Sequence, residues 1–169
     1  SADCSPGYKT CLVALSRGGG DASVVREFDL ATKSFAKDGF ALKEAKTEAT
    51  WIDDNTVLFA TDFGAGSLTD SGYARIVKRW TRGTPVSAAK TIYEGKKEDV
   101  LSAPFVGHGP EGATPMVVRA VSFFESEYYA VNADGTTRKI PLPLSVDAKG
   151  VTRGQLIATL RETWAQPAG

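Results

Sequence analysis

The stretch Ala74-Arg75-Ile76-Val77-Lys78-Arg79-Trp80-Thr81-Arg82-Gly83-Thr84 decides how the rest of the chain is read. Ile76, Lys78 and Trp80 fall on one face of an extended segment and Arg75, Val77 and Arg79 on the other, which is the period of a β-strand. The strand ends on a bulky apolar residue and is followed at once by a polar turn. The same arrangement recurs at Phe28, before Asp29-Leu30-Ala31-Thr32, and at Val131, before Asn132-Ala133-Asp134-Gly135-Thr136. The three anchors repeat about every 51 residues, close to the period of a unit of roughly four strands.

Outward from this stretch, short β-rich runs alternate with Gly, Asp and Asn turns, and helical periodicity is nearly absent. Strands are expected at 11–16, 23–30, around Phe35, 49–52, 56–61, 74–81, 91–93, 116–124, 127–132, 138–142, 146–151 and 155–161. Asp53-Asp54-Asn55 marks a hairpin. A single four-stranded sheet cannot bury both of its faces, so such units must stack on one another. The expected fold is therefore all-β, a partial β-propeller of about three blades of four-stranded antiparallel sheets. Blades are expected at 8–48, 49–98 and 99–145, with the start of another at 146–164 and an unstructured tail at 165–169. An irregular β-sandwich is the alternative. Closed propellers need at least four blades, so the end sheets should have bare apolar faces, and self-association through these open faces is expected.

The chain has 169 residues, of which 42% are hydrophobic and 24% charged, an ordinary globular composition. Lys plus Arg and Asp plus Glu number 20 each, so charge gives no case for nucleic acid or an anionic membrane. No apolar run approaches the length of a bilayer span. Two cysteines, Cys4 and Cys11, flank the Pro6-Gly7 turn signal. A turn there would bring them together in a disulfide; the alternative is two unpaired thiols, one buried at the head of the next strand. The cysteine pair and the natural start expected upstream of Ser1 lean towards a periplasmic or secreted protein, with a cytoplasmic one as the alternative.

Catalytic chemistry is hard to find. His108 is the only histidine, and no G-x-S-x-G elbow occurs. The run Gly107-His108-Gly109-Pro110-Glu111-Gly112 spells G-x-G-x-x-G, but a strand and not a helix follows it, so it reads as a flexible loop between strands. Two neighbouring cysteines and one distant histidine do not suit zinc. No catalytic, cofactor-binding or metal-binding residue is expected, and no cofactor. One segment stands out: 62–73 spends about a dozen residues where a two-residue turn would serve. It reads either as a functional loop or as a structural one ordered by Asp62, Ser67, Thr69 and Asp70.

A resemblance adds to this reading. Arg26-Glu27-Phe28-Asp29-Leu30, Trp51-Ile52-Asp53-Asp54, Thr61-Asp62-Phe63-Gly64, the run 66–80, Arg82-Gly83-Thr84-Pro85 and Tyr93-Glu94-Gly95 resemble the propeller of prolyl oligopeptidase-family serine peptidases, bacterial members above all. The likeness is strongest over 10–100. It implies a seven-bladed propeller paired with an α/β-hydrolase domain of the same parent chain, which carries the Ser, Asp and His that cut short proline-containing peptides. None of those positions falls within 1–169, so the implied role is gating and substrate admission by a non-catalytic piece of an enzyme. The resemblance also implies that Lys46, Thr47 and Glu48 approach the substrate cavity. The alternative is a free-standing β-repeat module that binds a protein or glycan.

Overall fold

Thr56–Ala60 is buried at all five positions, so both faces of this strand are covered. An antiparallel strand reads as a continuous apolar run only when sheets lie on either side of it. The computed structural model describes residues 1–164, and the tail expected at 165–169 lies outside them. The first sheet contains β1 (Ala2–Cys4), β2 (Thr10–Ser16), β3 (Ser23–Asp29), β4 (Ser34–Phe35) and β5 (Ala41–Ala45), with both β4 and β5 paired to β3. The second runs β6 (Glu48–Asp53), β7 (Thr56–Ala60), β8 (Ile76–Thr81) and β9 (Lys90–Glu94). The third runs β10 (Leu101–Gly109), β11 (Gly112–Ala120), β12 (Ser126–Val131) and β13 (Thr137–Lys139), and β14 (Asp147–Thr152) with β15 (Gln155–Thr159) forms a two-stranded fourth. Every pairing is antiparallel. The helical content described is a single 3-10 turn at Val86–Ala88.

The sheets stack face to face in chain order and do not close: the fold is a partial β-propeller. Between the first and second sheets, Leu12, Val25 and Leu42 meet Trp51, Val57, Phe59 and Trp80. Phe40 lies edge-on to both indoles, with ring centres 5.5 Å from Trp51 and 4.8 Å from Trp80. The opposite face of the second sheet sets Leu58, Ala60 and Val77 against Val117, with Val106, Tyr129 and Val131 from the third. Fully burying one such side chain is worth roughly 1.5–3 kcal/mol, so these two seams hold the arc together. The third seam is also tight: a Cβ on Gly107 would lie 2.5 Å from Val151 Cβ.

The turns after the three anchors close through side-chain-to-backbone bonds, as their Asp, Asn and Thr content requires. Asp29 Oδ1 accepts the Ala31 and Thr32 amides at 2.9 and 2.8 Å. The Trp80 indole N–H donates to Thr84 O at 2.8 Å, and the Thr136 amide donates to Asp134 Oδ1 at 2.9 Å.

Three expectations are corrected. Residues 106–112 are not a loop between strands; β10 and β11 run through them in register to Gly109↔Gly112, around a tight Pro110-Glu111 turn. The turn between the strands expected at 116–124 and 127–132 spans 121–125, closed by the Val121 amide on Glu125 O. Strands β1, β5 and β10 have no counterpart among the expected runs. β1 and β5 are short and exposed on most positions, and β10 is broken by Pro and Gly, so none shows a period-two apolar pattern.

Candidate functional site

In a four-stranded meander the first and third turns lie at one end, and the second turn and the link to the next sheet at the other. Segments 17–22, 46–47, 61–75, 95–100, 121–125 and 140–146 therefore gather at one end of the arc. The opposite end has mostly tight turns, such as 54–55, 110–111 and 153–154.

Lys46 and Thr47 form the whole link from the first sheet to the second, which fixes them at the loop-bearing end. The Lys46 ammonium lies 4.0 Å from the centre of the Tyr73 ring and 3.8 Å from Asp21 Oδ2. A cation over an aromatic face with a carboxylate beside it is held in place while staying wet. The Thr47 hydroxyl pairs with that of Thr61 at 2.7 Å. Glu48 opens β6 and keeps an exposed side chain, without an ion-pair partner among the described residues. Crowding by protein, with nothing to offset it, pushes its carboxyl above the ordinary value. These three residues share a cleft of about 50 Å³ with Asp21, Tyr73 and Ser102. Asp21 and Tyr73 escaped the sequence reading because a glycine turn and the last residue of a long loop give no signal of what they will meet.

Segment 62–73 is an ordered brace. Asp62 Oδ1 accepts the Gly64 amide at 2.8 Å, and the Ser67 hydroxyl accepts the Phe63 amide at 2.9 Å while donating to Gly64 O at 2.7 Å. The segment then reaches the link to the third sheet. Thr69 Oγ1 donates to Val100 O at 3.0 Å, and the Asp70 amide donates to Lys97 O at 2.8 Å. All four polar residues singled out from the sequence lie in this web, with Asp70 also 3.3 Å from Lys97 Nζ. Of the two readings of this segment, the bonding favours the structural one.

Two ionic clusters reinforce the stack. Arg82 donates through Nη1 and Nη2 to Glu27 Oε2 and Oε1 at 2.9 and 2.8 Å, tying the second sheet to the first. Burial opposes ionisation of Glu27, but the Arg82 fork and the Phe40 amide outweigh it and hold the carboxyl below its ordinary value. In the third sheet, Arg119 bridges Asp99 (2.7 Å) and Glu127 (3.0 Å). Lys139 and the Tyr129 hydroxyl complete the shell of Glu127, whose carboxyl is lowered to about 2, chiefly by Lys139. His108 sits on β10 with Nε2 3.0 Å from Trp51 O, a contact between inner strands and not with a nucleophile. Cys4 and Cys11 face each other across β1 and β2 and are joined by a disulfide.

Comparison with known proteins matches this architecture. The family model described as the prolyl oligopeptidase N-terminal beta-propeller domain covers residues 1–150. The uncharacterized peptidase y4nA of Sinorhizobium fredii is 39% identical over 99% of this chain, and the uncharacterized peptidase RP174 of Rickettsia prowazekii 26% identical over 96%. The chain spans 24% of the length of each of these relatives. A post-proline cleaving enzyme from Rickettsia typhi superimposes with a TM-score of 0.87 at 25% identity, over 97% of this chain and 26% of that one. Oligopeptidase B from Leishmania major shares the fold at a TM-score of 0.62 and 14% identity, over 88% of this chain and 20% of that one. These likenesses favour a peptidase propeller over a free-standing binding module. The chain belongs to the prolyl oligopeptidase family and forms part of its N-terminal β-propeller domain.

Proposed function

We propose that this arc is the substrate-admitting part of a serine peptidase that cuts short proline-containing peptides, with catalysis carried out by an α/β-hydrolase domain of the same parent chain. The observation that carries the proposal is the stack of sequential sheets, 97% of this chain superimposing on 26% of a post-proline cleaving enzyme. The test compares kcat/KM for a ladder of proline-containing peptides in the parent enzyme with and without its propeller. Removing the propeller should abolish the fall in kcat/KM with peptide length; an unchanged length dependence would overturn the proposal.

Within this reading Lys46, Thr47 and Glu48 face the substrate cavity. Lys46→Ala in the parent enzyme should change KM for peptides bearing acidic residues, and identical kinetics for every peptide would remove the assignment. The Cys4–Cys11 bridge supports a periplasmic or secreted location. Recovery of the parent protein only in the cytoplasmic fraction would count against it.

A further inference from the structure

The Cys4–Cys11 bridge sits at the root of a strap between the first two sheets. β1 is three residues long and pairs only with β2. From this hairpin the Asp3 carbonyl accepts the Trp51 indole N–H at 2.9 Å. The Gly7 amide donates to Asp54 Oδ1 at 3.2 Å, and Lys9 Nζ lies 3.3 Å from Asp54 Oδ2. Residues 3–9 thus grip the inner strand and first turn of the neighbouring sheet, and the disulfide holds the two arms of the grip together.

The two sulfurs are not equally placed. Cys11 is buried, whereas Cys4 is half-buried and lines a cleft of about 480 Å³ with Pro6, Tyr8, Ile52 and His108. That volume lies within the range of small-molecule clefts. We infer that Cys4–Cys11 is a thiol–disulfide exchange site for a small dithiol, and that its reduction releases the strap from the second sheet. A thiolate of the dithiol attacks Cys4 Sγ, the S–S bond breaks, and Cys11 leaves as a thiolate and takes up a proton. The second thiol of the reagent then attacks its own sulfur in the mixed disulfide and expels Cys4, which is protonated in turn. Two electrons and two protons pass to the protein, and the reagent departs as a cyclic disulfide. With the cross-link gone, β1 keeps only a short edge ladder, the kind of element that opens locally without global unfolding. This inference does not depend on the peptidase reading.

The test treats the air-oxidised chain with dithiothreitol at neutral pH without denaturant, then alkylates it, weighs it and follows hydrogen exchange. Two alkyl groups should be added while the amides of β7 remain protected. Protection of the Gly7 amide and the Trp51 indole should fall by roughly tenfold or more. Three outcomes would overturn the inference: air-oxidised protein without the bridge, alkylation no faster than exchange of the β7 amides, or unchanged protection at Gly7 and Trp51 after reduction. Asp54→Ala removes the anchor and leaves the bridge, so its Gly7 amide should exchange fast before any thiol is added. Persistent protection there would also overturn the strap.

Discussion

The Glu27 side chain is 1% exposed, and both of its oxygens are held by the guanidinium of Arg82. Arg82→Ala leaves that carboxylate buried without its counter-charge, a change that costs about 3 kcal/mol where a pair is desolvated. Arg82→Lys keeps the charge but loses the two-pronged fit, so its loss should be smaller. Urea unfolding of the two variants would show that order, and equal midpoints for Arg82→Ala and the parent chain would contradict it. Glu127 makes a separate prediction about pH. Its carboxyl titrates at about 2 when folded, against an ordinary value of 4.5. The unfolded state therefore binds the proton first, and the stability Glu127 contributes is complete above about pH 4.5 and lost as the pH falls towards 2. Glu127→Gln should flatten the fall in unfolding midpoint across that window while lowering stability at neutral pH.

At the scale of elements, Gly107 shows how a motif can be spelled for one purpose and used for another. It is the first glycine of the run that spells a dinucleotide fingerprint, yet it lies within β10, where it lets Val151 of β14 approach. Gly107→Ala places a methyl 2.5 Å from Val151 Cβ, against a bonded strand and not a flexible tip. Overpacking of this kind costs roughly 1–3 kcal/mol. Amides of β14 and β15 should lose protection in this variant while those of β7, two seams away, keep theirs; uniform loss would contradict the assignment. Segment 62–73 marks a limit of the same kind. Its length and its side-chain bonding potential were legible, because Asp, Ser and Thr announce local backbone bonds. That it reaches over to Val100 and Lys97 was not, since that depends on where the next sheet lies.

At the scale of the molecule, the three anchors occupy one structural position. Trp80 faces the first sheet and Val131 faces the second, each pointing back towards the sheet that precedes it. Phe28 points the same way from the first sheet, edge-on to Phe35 at 5.4 Å, on a face without a neighbouring sheet among the described residues. Leu15 on that face is 48% exposed, and at the far end of the arc Ile157 is 52% exposed. We expect the isolated chain to self-associate through these faces. Light scattering should report dimers or larger species, fewer of them for Leu15→Lys; a clean monomer at high concentration would contradict this. By itself the sequence determined the all-β class, the repeat length, the turn chemistry and the anchors, because strand alternation and Asx turns are local and each is written in a few consecutive residues. Tertiary structure alone decided which carboxylate Arg82 would take, which end collects Lys46, Asp21 and Tyr73, and why Gly107 is glycine. Each of those depends on groups tens of residues apart brought within a few ångströms, and only the stacking of one sheet on the next specifies such distances.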